Sequence, residues 1–276
     1  MYAEYWGFKE MPFENTPDPR FLYYSSQHEE GLTRMIHVVK GRKGAGMLTG
    51  VFGCGKTVLA QALLSELERN TYKVAFVTNP RLNDIEMLRM IIRLLEANDP
   101  AILGSTKPPL TKSDLWSTLN NMLINNMRES KETLVIIDEA HTIEDRSVFE
   151  EIRLLLNMHF ANKFLLTLLL LGQTELKEKI DSNKQLAQRI AMRYHLDSLN
   201  ENESLNYIIH RLGVAGPAAK LIFTDRAFKL IYEVSGGIPR VINKICDLSL
   251  FTGCSKKVDR IDAEIVREAI EILEGR

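Results

Sequence analysis

The chain has 276 residues, and its apolar content of 45% predicts one large or two smaller folded domains and excludes global disorder. A formal net charge of −1 excludes an overall electrostatic attraction to nucleic acid or anionic membranes, and leaves room for a local basic patch. Three cysteines are too few for a disulfide framework and indicate a reducing compartment such as the cytoplasm.

The first part of the chain predicts an extended lead-in followed by a helix. Residues 1–27 are rich in aromatic residues and prolines, and apolar residues recur at helical spacing over 28–40. The start has no basic region followed by an apolar stretch, as a signal peptide would. The most apolar run, 164–171, is far shorter than the roughly 20 residues of a membrane span. We therefore predict no transmembrane segment.

Strands then alternate with helices. We predict strands at 46–49, 74–78, 134–137 and 164–171, with a short fifth at 194–196. We predict helices at 58–67, 85–97, 113–127, 147–158 and 175–180, and a loop at 98–112. This alternation predicts an α/β fold with a parallel five-stranded sheet flanked by helices.

Beyond about residue 200 the pattern is helical throughout. We predict helices at 201–212, 225–234, 239–252 and 262–273. Asp262 is expected to cap the last of them. The chain is therefore predicted to contain an α/β domain at 1–199 and a smaller helical domain at 200–276.

The most specific motif follows the first predicted strand. Residues 50–57 read Gly-Val-Phe-Gly-Cys-Gly-Lys-Thr, a complete GxxxxGK[ST] phosphate-binding loop between a strand and a helix. The residues predicted to surround the phosphates are Gly50, Gly53, Cys54, Gly55, Lys56, Thr57 and Val58. Lys56 would bridge the β- and γ-phosphates, and Thr57 would place its hydroxyl on Mg²⁺. For Cys54 we favour a small residue at a variable loop position over a redox switch.

Two carboxylates end the buried strand predicted at 134–137. Asp138 would hold Mg²⁺, and Glu139 would polarise the attacking water. The string continues as Ala140-His141, which also occurs in helicases. Such helicases need two α/β domains, and this chain has room for one. We interpret His141 as a packing or coupling residue rather than a catalyst.

Further polar residues would neutralise charge around the γ-phosphate. Gln173, just past a buried strand, would touch that phosphate or position the water. Arg240 opens a helix of the C-terminal domain and would report the nucleotide state to it. Arg189 and Arg193, placed before the short fifth strand, would act as arginine fingers on a neighbouring subunit's nucleotide. These two arginines predict an oligomer.

Together these motifs resemble those of AAA+ ATPases, and more narrowly those of the ExeA/GspA secretion-ATPase group with its MshM-like and TnsC-like relatives. The narrower resemblance is carried by 13–23 with His28, by 171–176, by 186–190 and by 207–212. It covers nearly the whole chain. It implies an AAA+ P-loop fold with a helical lid, and hydrolysis of ATP with Mg²⁺. It also implies that an N-terminal strap, residues 1–27, lines the adenine pocket, with Pro17 and Phe21 as candidate contacts.

The resemblance implies two alternative functions. The first is an ATP-hydrolysing motor or switch that assembles a secretion, pilus or surface-polysaccharide apparatus, as a ring or helical homo-oligomer formed with nucleotide. The second is a TnsC-like regulator of transposition that binds duplex DNA and a transposase. Basic residues at 40–43 and 256–260 would serve that second role. A third, non-enzymatic interpretation is a nucleotide-locked scaffold that hydrolyses slowly.

Relatives of this group carry a membrane span and a peptidoglycan-binding domain after the ATPase part. We expect a separate partner to supply any such role here. The chain itself is expected in the cytoplasm, and peripheral at the inner membrane through that partner.

Overall fold

A computed structural model describes most of the chain. The described residues are 2–16, 18–68, 70–96, 111–161, 163–216 and 222–275. Pro17 and the predicted loop as far as residue 110 lie outside them.

Seven strands lie in the described residues. They are β1 (Ala45–Gly50), β2 (Tyr72–Val77), β3 (Glu132–Ile137), β4 (His159–Phe160), β5 (Lys163–Phe164), β6 (Thr167–Gly172) and β7 (Ile190–Leu196). The long apolar strand begins at Thr167 rather than at 164, because Phe164 pairs with His159 in the antiparallel hairpin of β4 and β5. The last strand is longer than predicted, since it begins at Ile190.

Five of these strands form one sheet in the order β2-β3-β6-β1-β7. Parallel pairing places Val135 of β3 level with Ala75 of β2 and Leu168 of β6, and Leu48 of β1 level with Leu171. Every residue of β1 and β6 is buried, as expected for a parallel sheet covered on both faces. The predicted α/β fold is confirmed. The carboxyl ends of β1, β3 and β6 lie at one edge, where ligands of open α/β sheets bind.

Helices precede, connect and follow the strands. They are α1 (Tyr2–Tyr5), α2 (Ser26–Lys40), α3 (Lys56–Ser65), α4 (Asp84–Glu96), α5 (Lys112–Arg128), α6 (Arg146–Leu155), α7 (Glu175–Ser182), α8 (Lys184–Ala187), α9 (Glu201–Ala215), α10 (Asp225–Ser235), α11 (Pro239–Lys256) and α12 (Ala263–Glu274). Asp262 caps α12 by accepting from the amides of Glu264 and Ile265, which confirms the predicted cap.

The sheet belongs to one of two compact units into which the chain divides, the unit formed by residues 30–50 and 60–195. Its core joins the apolar residues of the strands to those of the flanking helices. Val135 and Ile137, for example, share one cluster with Ile91 of α4 and Leu119 of α5, and all four are fully buried. Burial of each such side chain stabilises the fold by about 1.5–3 kcal/mol.

The second compact unit comprises the described residues of 1–29, 51–59 and 196–276. Trp6, Phe8 and Phe13 pack in one apolar cluster with Leu212 of α9 and Leu250 of α11. The indole nitrogen of Trp6 donates to the carbonyl oxygen of Leu250 at 2.9 Å. The N-terminal segment is therefore part of a core and contains the short α1, rather than being only the extended lead-in that was predicted.

A buried polar network fixes this segment against α9. The guanidinium of Arg211, a residue 6% exposed, donates to the carbonyl oxygens of Pro12 at 2.6 Å and Glu14 at 2.9 Å. It also donates to the hydroxyl of Tyr207, which donates onward to Asn243 at 2.8 Å. These bonds satisfy backbone carbonyls of a segment without regular secondary structure. The predicted division into 1–199 and 200–276 stays a prediction.

Candidate functional site

The loop between β1 and α3 depends on glycine at two positions. Gly53 has φ 84° and Gly55 has φ 102°, values that other residues rarely adopt. A Cβ at Gly53 would lie 2.6 Å from the Cβ of Arg240, and one at Gly55 would lie 3.1 Å from Nε2 of His28. Glycine is therefore required at both positions, because of the positive φ and because neighbouring side chains approach the backbone closely. Gly50, where β1 ends, is buried.

Lys56 and Thr57 are the first two residues of α3, so their amides lie at the helix N-terminus, where the helix dipole favours a negative charge. Cys54, Gly55 and Val58 flank them in the chain. The side chain of Lys56 lies along the loop, with its Nζ donating to the carbonyl oxygen of Val51 at 2.9 Å. Amides, helix dipole and ammonium together make an environment suited to an anion such as phosphate.

Cys54 is fully buried, and burial raises the pKa of its thiol even though the nearby ammonium of Lys56 lowers it. Its sulfur lies 3.8 Å from Nζ of Lys56. A buried neutral thiol is a poor nucleophile and oxidises slowly. The geometry supports the interpretation of Cys54 as a small loop residue.

His28 is a residue of this site that sequence reasoning did not single out for a role. It is 3% exposed, with Nε2 3.0 Å from the carbonyl oxygen of Cys54 and Nδ1 2.7 Å from Oγ of Ser25. A carbonyl only accepts, so Nε2 carries the proton and Nδ1 accepts from the serine hydroxyl. Burial lowers the pKa of His28, which keeps the ring neutral. The one sequence signal was its place in the stretch that carries the family resemblance.

Arg240 reaches the same loop. Its backbone amide donates to the carbonyl oxygen of Gly53 at 3.3 Å, and its guanidinium lies 4.6 Å from the ring centre of Phe52. It is the second residue of α11, which follows Gly236 and Gly237, both at positive φ. The predicted reporter arginine and the phosphate-binding loop are therefore brought together within one compact unit.

The acidic pair follows β3. Asp138 is 4% exposed and accepts from the amide of Glu139 at 2.9 Å. Glu139 has φ 52° and ψ 31°, the left-handed conformation, and its side chain is 35% exposed. Such a conformation costs of order 1–3 kcal/mol in a residue other than glycine and concentrates at functional sites. The structure thus gives the two carboxylates different surroundings, one buried and one accessible to water.

Gln173 lies just past β6 and is half-buried. Its backbone amide donates to Nδ1 of His141 at 3.3 Å, while Nε2 of the same ring lies 3.4 Å from Oε2 of Glu139. The structure therefore connects the predicted base and the predicted polar sensor through one histidine.

The two predicted arginine fingers have different surroundings. Arg193 lies inside β7 rather than before it, and its guanidinium pairs with Asp181 at 2.5 Å. Arg193 therefore has an ion-pair partner within its own chain. Arg189 directly precedes β7 and is exposed, and no described residue forms a salt bridge with it.

Phe21 lies in the apolar cluster of the second unit and is 8% exposed. The guanidinium of Arg211 lies 4.8 Å from its ring centre. Pro17, the other predicted adenine contact, is outside the described residues. Both assignments stay predictions.

Each of the two compact units offers an oxygen donor of the kind that Mg²⁺ takes in nucleotide sites. Among the described residues no group of three or more His, Cys, Asp or Glu could hold a metal ion. Mg²⁺ in nucleotide sites is held by one or two protein oxygens, by phosphate oxygens and by water. Asp138, a buried carboxylate, and Thr57, a half-buried hydroxyl, are oxygen donors of that kind.

The basic residues near 40–43 and 256–260 are partly paired within the chain. Arg42 forms a salt bridge with Glu132 at 2.6 Å, and Lys256 pairs with Glu268. These pairs reduce the charge available to a nucleic-acid backbone. Among the described residues no helix is long and apolar enough to cross a membrane.

Known proteins share this architecture. Over 96% of this chain and 72% of the other, the structure superposes on ORC2 of Aeropyrum pernix, solved as ADPNP–ADP complexes, with a TM-score of 0.71 and 19% identity. It also superposes on Cdc6p of Pyrobaculum aerophilum, over 94% of this chain and 69% of the other, with a TM-score of 0.73 and 13% identity. Identities this low establish the fold alone. Fold and phosphate-binding loop together define a P-loop protein of the AAA+ class.

Sequence comparison identifies the family. A model described as "AAA domain" matches residues 39–180. The chain is 35% identical over 263 residues to General secretion pathway protein A of Aeromonas hydrophila, an alignment that covers 95% of this chain and 46% of the relative. The chain thus spans somewhat under half the length of that relative. The chain belongs to the AAA domain family, and the resemblance inferred from its motifs is confirmed.

Proposed function

We propose that the protein hydrolyses ATP to ADP and phosphate with Mg²⁺, and that the cycle drives assembly of a secretion, pilus or surface-polysaccharide apparatus. One observation carries the proposal. The glycine-dependent turn at Gly53 and Gly55 leads into a helix that opens with Lys56 and Thr57, and Arg240 and His28 hold its backbone. A glycine turn that leads into a helix N-terminus with a lysine beside it suits phosphate recognition.

The loop residues divide the work of binding. The amides of 53–58 would bind the β-phosphate, and Lys56 would bridge the β- and γ-phosphates. Mg²⁺, held by Thr57 and Asp138, would neutralise the charge that develops on the phosphate oxygens. Phe21 and Pro17 are proposed adenine contacts.

Turnover would depend on Glu139. Its carboxylate is partly exposed and its backbone conformation is strained. We assign it the role of orienting and polarising the attacking water for in-line displacement. Gln173 would contact the γ-phosphate or position that water, and Arg240 would transmit the nucleotide state into α11.

Assembly would complete the site. Arg189 is exposed and without a described salt bridge, which suits a finger that reaches a neighbouring copy's nucleotide. Arg193 remains the second candidate, although its pairing with Asp181 makes it less available. The protein would work as a nucleotide-dependent ring or helical homo-oligomer.

The cellular role rests on the relationship to General secretion pathway protein A. We propose that the chain acts in the cytoplasm, and at the inner membrane through a partner of the apparatus. The alternative of a TnsC-like transposition regulator bound to duplex DNA has no specific observation in its favour, and the internal pairing of Arg42 and Lys256 weakens it.

The enzymatic proposal is tested with three variants. Lys56→Ala should lose ATP binding, measured by titration with a fluorescent ATP analogue. Glu139→Gln should keep binding and lose turnover by a factor of about 10² or more, measured as phosphate release. Glu144→Gln, at an exposed position of the same segment, is the matched control and should behave as the wild type. Wild-type turnover in Glu139→Gln would overturn the mechanism.

The cellular proposal is tested by light-scattering mass and electron microscopy of Glu139→Gln with ATP, with and without duplex DNA. Closed rings that are indifferent to DNA support an apparatus-assembly ATPase. Filaments or rings that form only on DNA would replace that role with the transposition regulator.

A further inference from the structure

His141 contacts both halves of the proposed hydrolytic apparatus. Its Nδ1 lies 3.3 Å from the backbone nitrogen of Gln173, and its Nε2 lies 3.4 Å from Oε2 of Glu139. A backbone N–H only donates, so Nδ1 must accept. In the neutral ring the proton is therefore on Nε2, where it faces the carboxylate of Glu139.

The ring is held in place by its own backbone. His141 lies in a 3₁₀ turn, Ala140–Thr142, and its side chain is 13% exposed. Nζ of Lys179 donates to its carbonyl oxygen at 2.5 Å and to that of Ile143 at 2.7 Å. On the other side Gly172 permits close approach, because a Cβ there would lie 3.2 Å from the backbone nitrogen of His141. Such fixed surroundings are those of a residue that orients another.

We propose that His141 is the positioning residue for Glu139. Its Nε2–H faces one carboxylate oxygen at 3.4 Å and would orient it, which leaves the other oxygen to take the water. Its Nδ1 ties that arrangement to the backbone at Gln173, so that the segments after β3 and β6 move together. A neutral donor orients the carboxylate without cancelling its charge, whereas a lysine or arginine there would cancel it. The proposal rests on the role assigned to Glu139 above.

Glu139 needs such support. Its left-handed backbone conformation is held by Thr142, whose amide and hydroxyl both donate to the carbonyl oxygen of Glu139 at 2.8 and 2.9 Å. These bonds fix the main chain and leave the side-chain torsions undetermined. Among the described residues, His141 is the one side chain recorded in polar contact with the Glu139 carboxylate, with Nε2 3.4 Å from Oε2. Loss of that contact would allow the carboxylate to sample other orientations.

Two substitutions separate the contacts of the ring. In His141→Asn, Oδ1 stands near the position of Nδ1 and accepts from Gln173, but no donor reaches Glu139. In His141→Gln, the longer amide places a donor near the position of Nε2. His37→Asn, at an exposed position of α2, is the control. Turnover number, affinity for a fluorescent ATP analogue and unfolding temperature are measured for each.

We expect His141→Asn to lower the turnover number roughly tenfold to a hundredfold, the range for a lost hydrogen bond to a charged group. Nucleotide affinity and unfolding temperature should match the wild type, and His141→Gln should recover a measurable part of the rate. Wild-type turnover in His141→Asn would overturn the proposal. So would equal losses in both variants with a lowered unfolding temperature, because that pattern marks a packing role.

Failure of this inference is distinguishable from failure of the proposed function. If Glu139→Gln abolishes turnover while His141→Asn leaves it unchanged, Glu139 keeps its role and His141 loses the one proposed here. If Glu139→Gln retains full turnover, both proposals are overturned together.

Discussion

A single buried histidine, His28, forms a hydrogen bond to the backbone of the phosphate-binding loop. His28 donates to the carbonyl oxygen of Cys54, the residue between the two glycines on which the turn depends. Loss of a buried hydrogen bond of this kind costs about 1–3 kcal/mol, because the carbonyl is left without a partner. The loop geometry therefore depends on a residue 26 positions upstream of Cys54.

His28 and a second partly buried histidine, His210, are expected to make the stability of the protein depend on pH. Burial is the largest cause that lowers the pKa of both His28 and His210 from the ordinary 6.5. The hydrogen bonds to backbone carbonyls and, for His28, the charge of Glu203 raise it in part. The unfolded chain therefore takes up these protons at a higher pH than the folded chain does. The contribution of the two histidines to the free energy of unfolding is greatest above pH 6.5 and decreases as the pH drops below it. Each group contributes at most about 1.4 kcal/mol per pH unit.

Urea unfolding between pH 7.5 and 5.5 measures this effect. The double variant His28→Gln with His210→Gln should show a shallower loss than the wild type. His37→Gln, at an exposed position, should leave the slope unchanged. A wild-type slope in the double variant would show that these histidines are not the source.

At the residue scale, the sequence located the phosphate-binding loop and the acidic pair because each is contiguous and follows a strand. It did not assign a contact to His28, and it left the role of His141 open. Their contacts join positions far apart in the chain, and neither residue stands in a pattern that specifies a partner. Only the folded backbone brings Gln173 and Glu139 to one ring.

At the element scale, two glycines precede α11, and they differ in how much space a side chain would have. Gly236 and Gly237 both have positive φ, at 57° and 73°. A Cβ at Gly236 would meet nothing within 4 Å, whereas one at Gly237 would lie 1.8 Å from the carbonyl oxygen of Leu199. The position of Arg240 three residues later depends on this turn.

The pair gives a matched test. Gly236→Ala should cost about 1–2 kcal/mol of unfolding free energy, the penalty of a left-handed alanine. Gly237→Ala should cost more and should also weaken nucleotide binding, because the backbone must move away from Leu199 and takes Arg240 with it. Chemical unfolding and a nucleotide titration measure both. Equal costs for the two variants would contradict this account.

The two arginines proposed as fingers lie on either side of the point where β7 begins, with Arg189 just before the strand and Arg193 within it. Arg193→Ala removes a partly exposed ion pair with Asp181, so it should cost no more than about 1 kcal/mol of stability. Arg189→Ala should leave stability and nucleotide binding unchanged and lower turnover of the assembled protein by a factor of about 10³, the lower end of the effect of a finger. Phosphate release at several protein concentrations measures this. Intact turnover in both variants would refute the finger assignment.

The start of β6 could not be predicted from the sequence, because the strand lies within a longer apolar run. Periodicity indicated a central strand but not its start, since Phe164 is as apolar as the leucines that follow. Phe164 belongs to the β4–β5 hairpin because it pairs with His159, and the apolar pattern alone does not indicate that pairing. Helix α12, which follows its cap Asp262, was placed to within a residue because the cap is a local signal.

At the scale of the whole molecule, the alternation of strands and helices was sufficient to predict the parallel sheet. It was not sufficient to predict that the aromatic N-terminal segment shares a core with the C-terminal helices. Trp6 meets Leu250 across 244 positions of sequence, and no local pattern encodes a pairing of that range. The extended interpretation of residues 1–27 was wrong in this respect.

The shared core of the N-terminal segment and the C-terminal helices has a consequence for biosynthesis. On the ribosome the sheet can be completed once β7 has emerged, because all its strands lie between Ala45 and Leu196. The loop that follows β1 has to wait, because its contacts with Arg240 cannot form before that residue is translated. The nascent protein would therefore acquire the native geometry of this loop only after α11 has begun to emerge, long after the loop itself has been made.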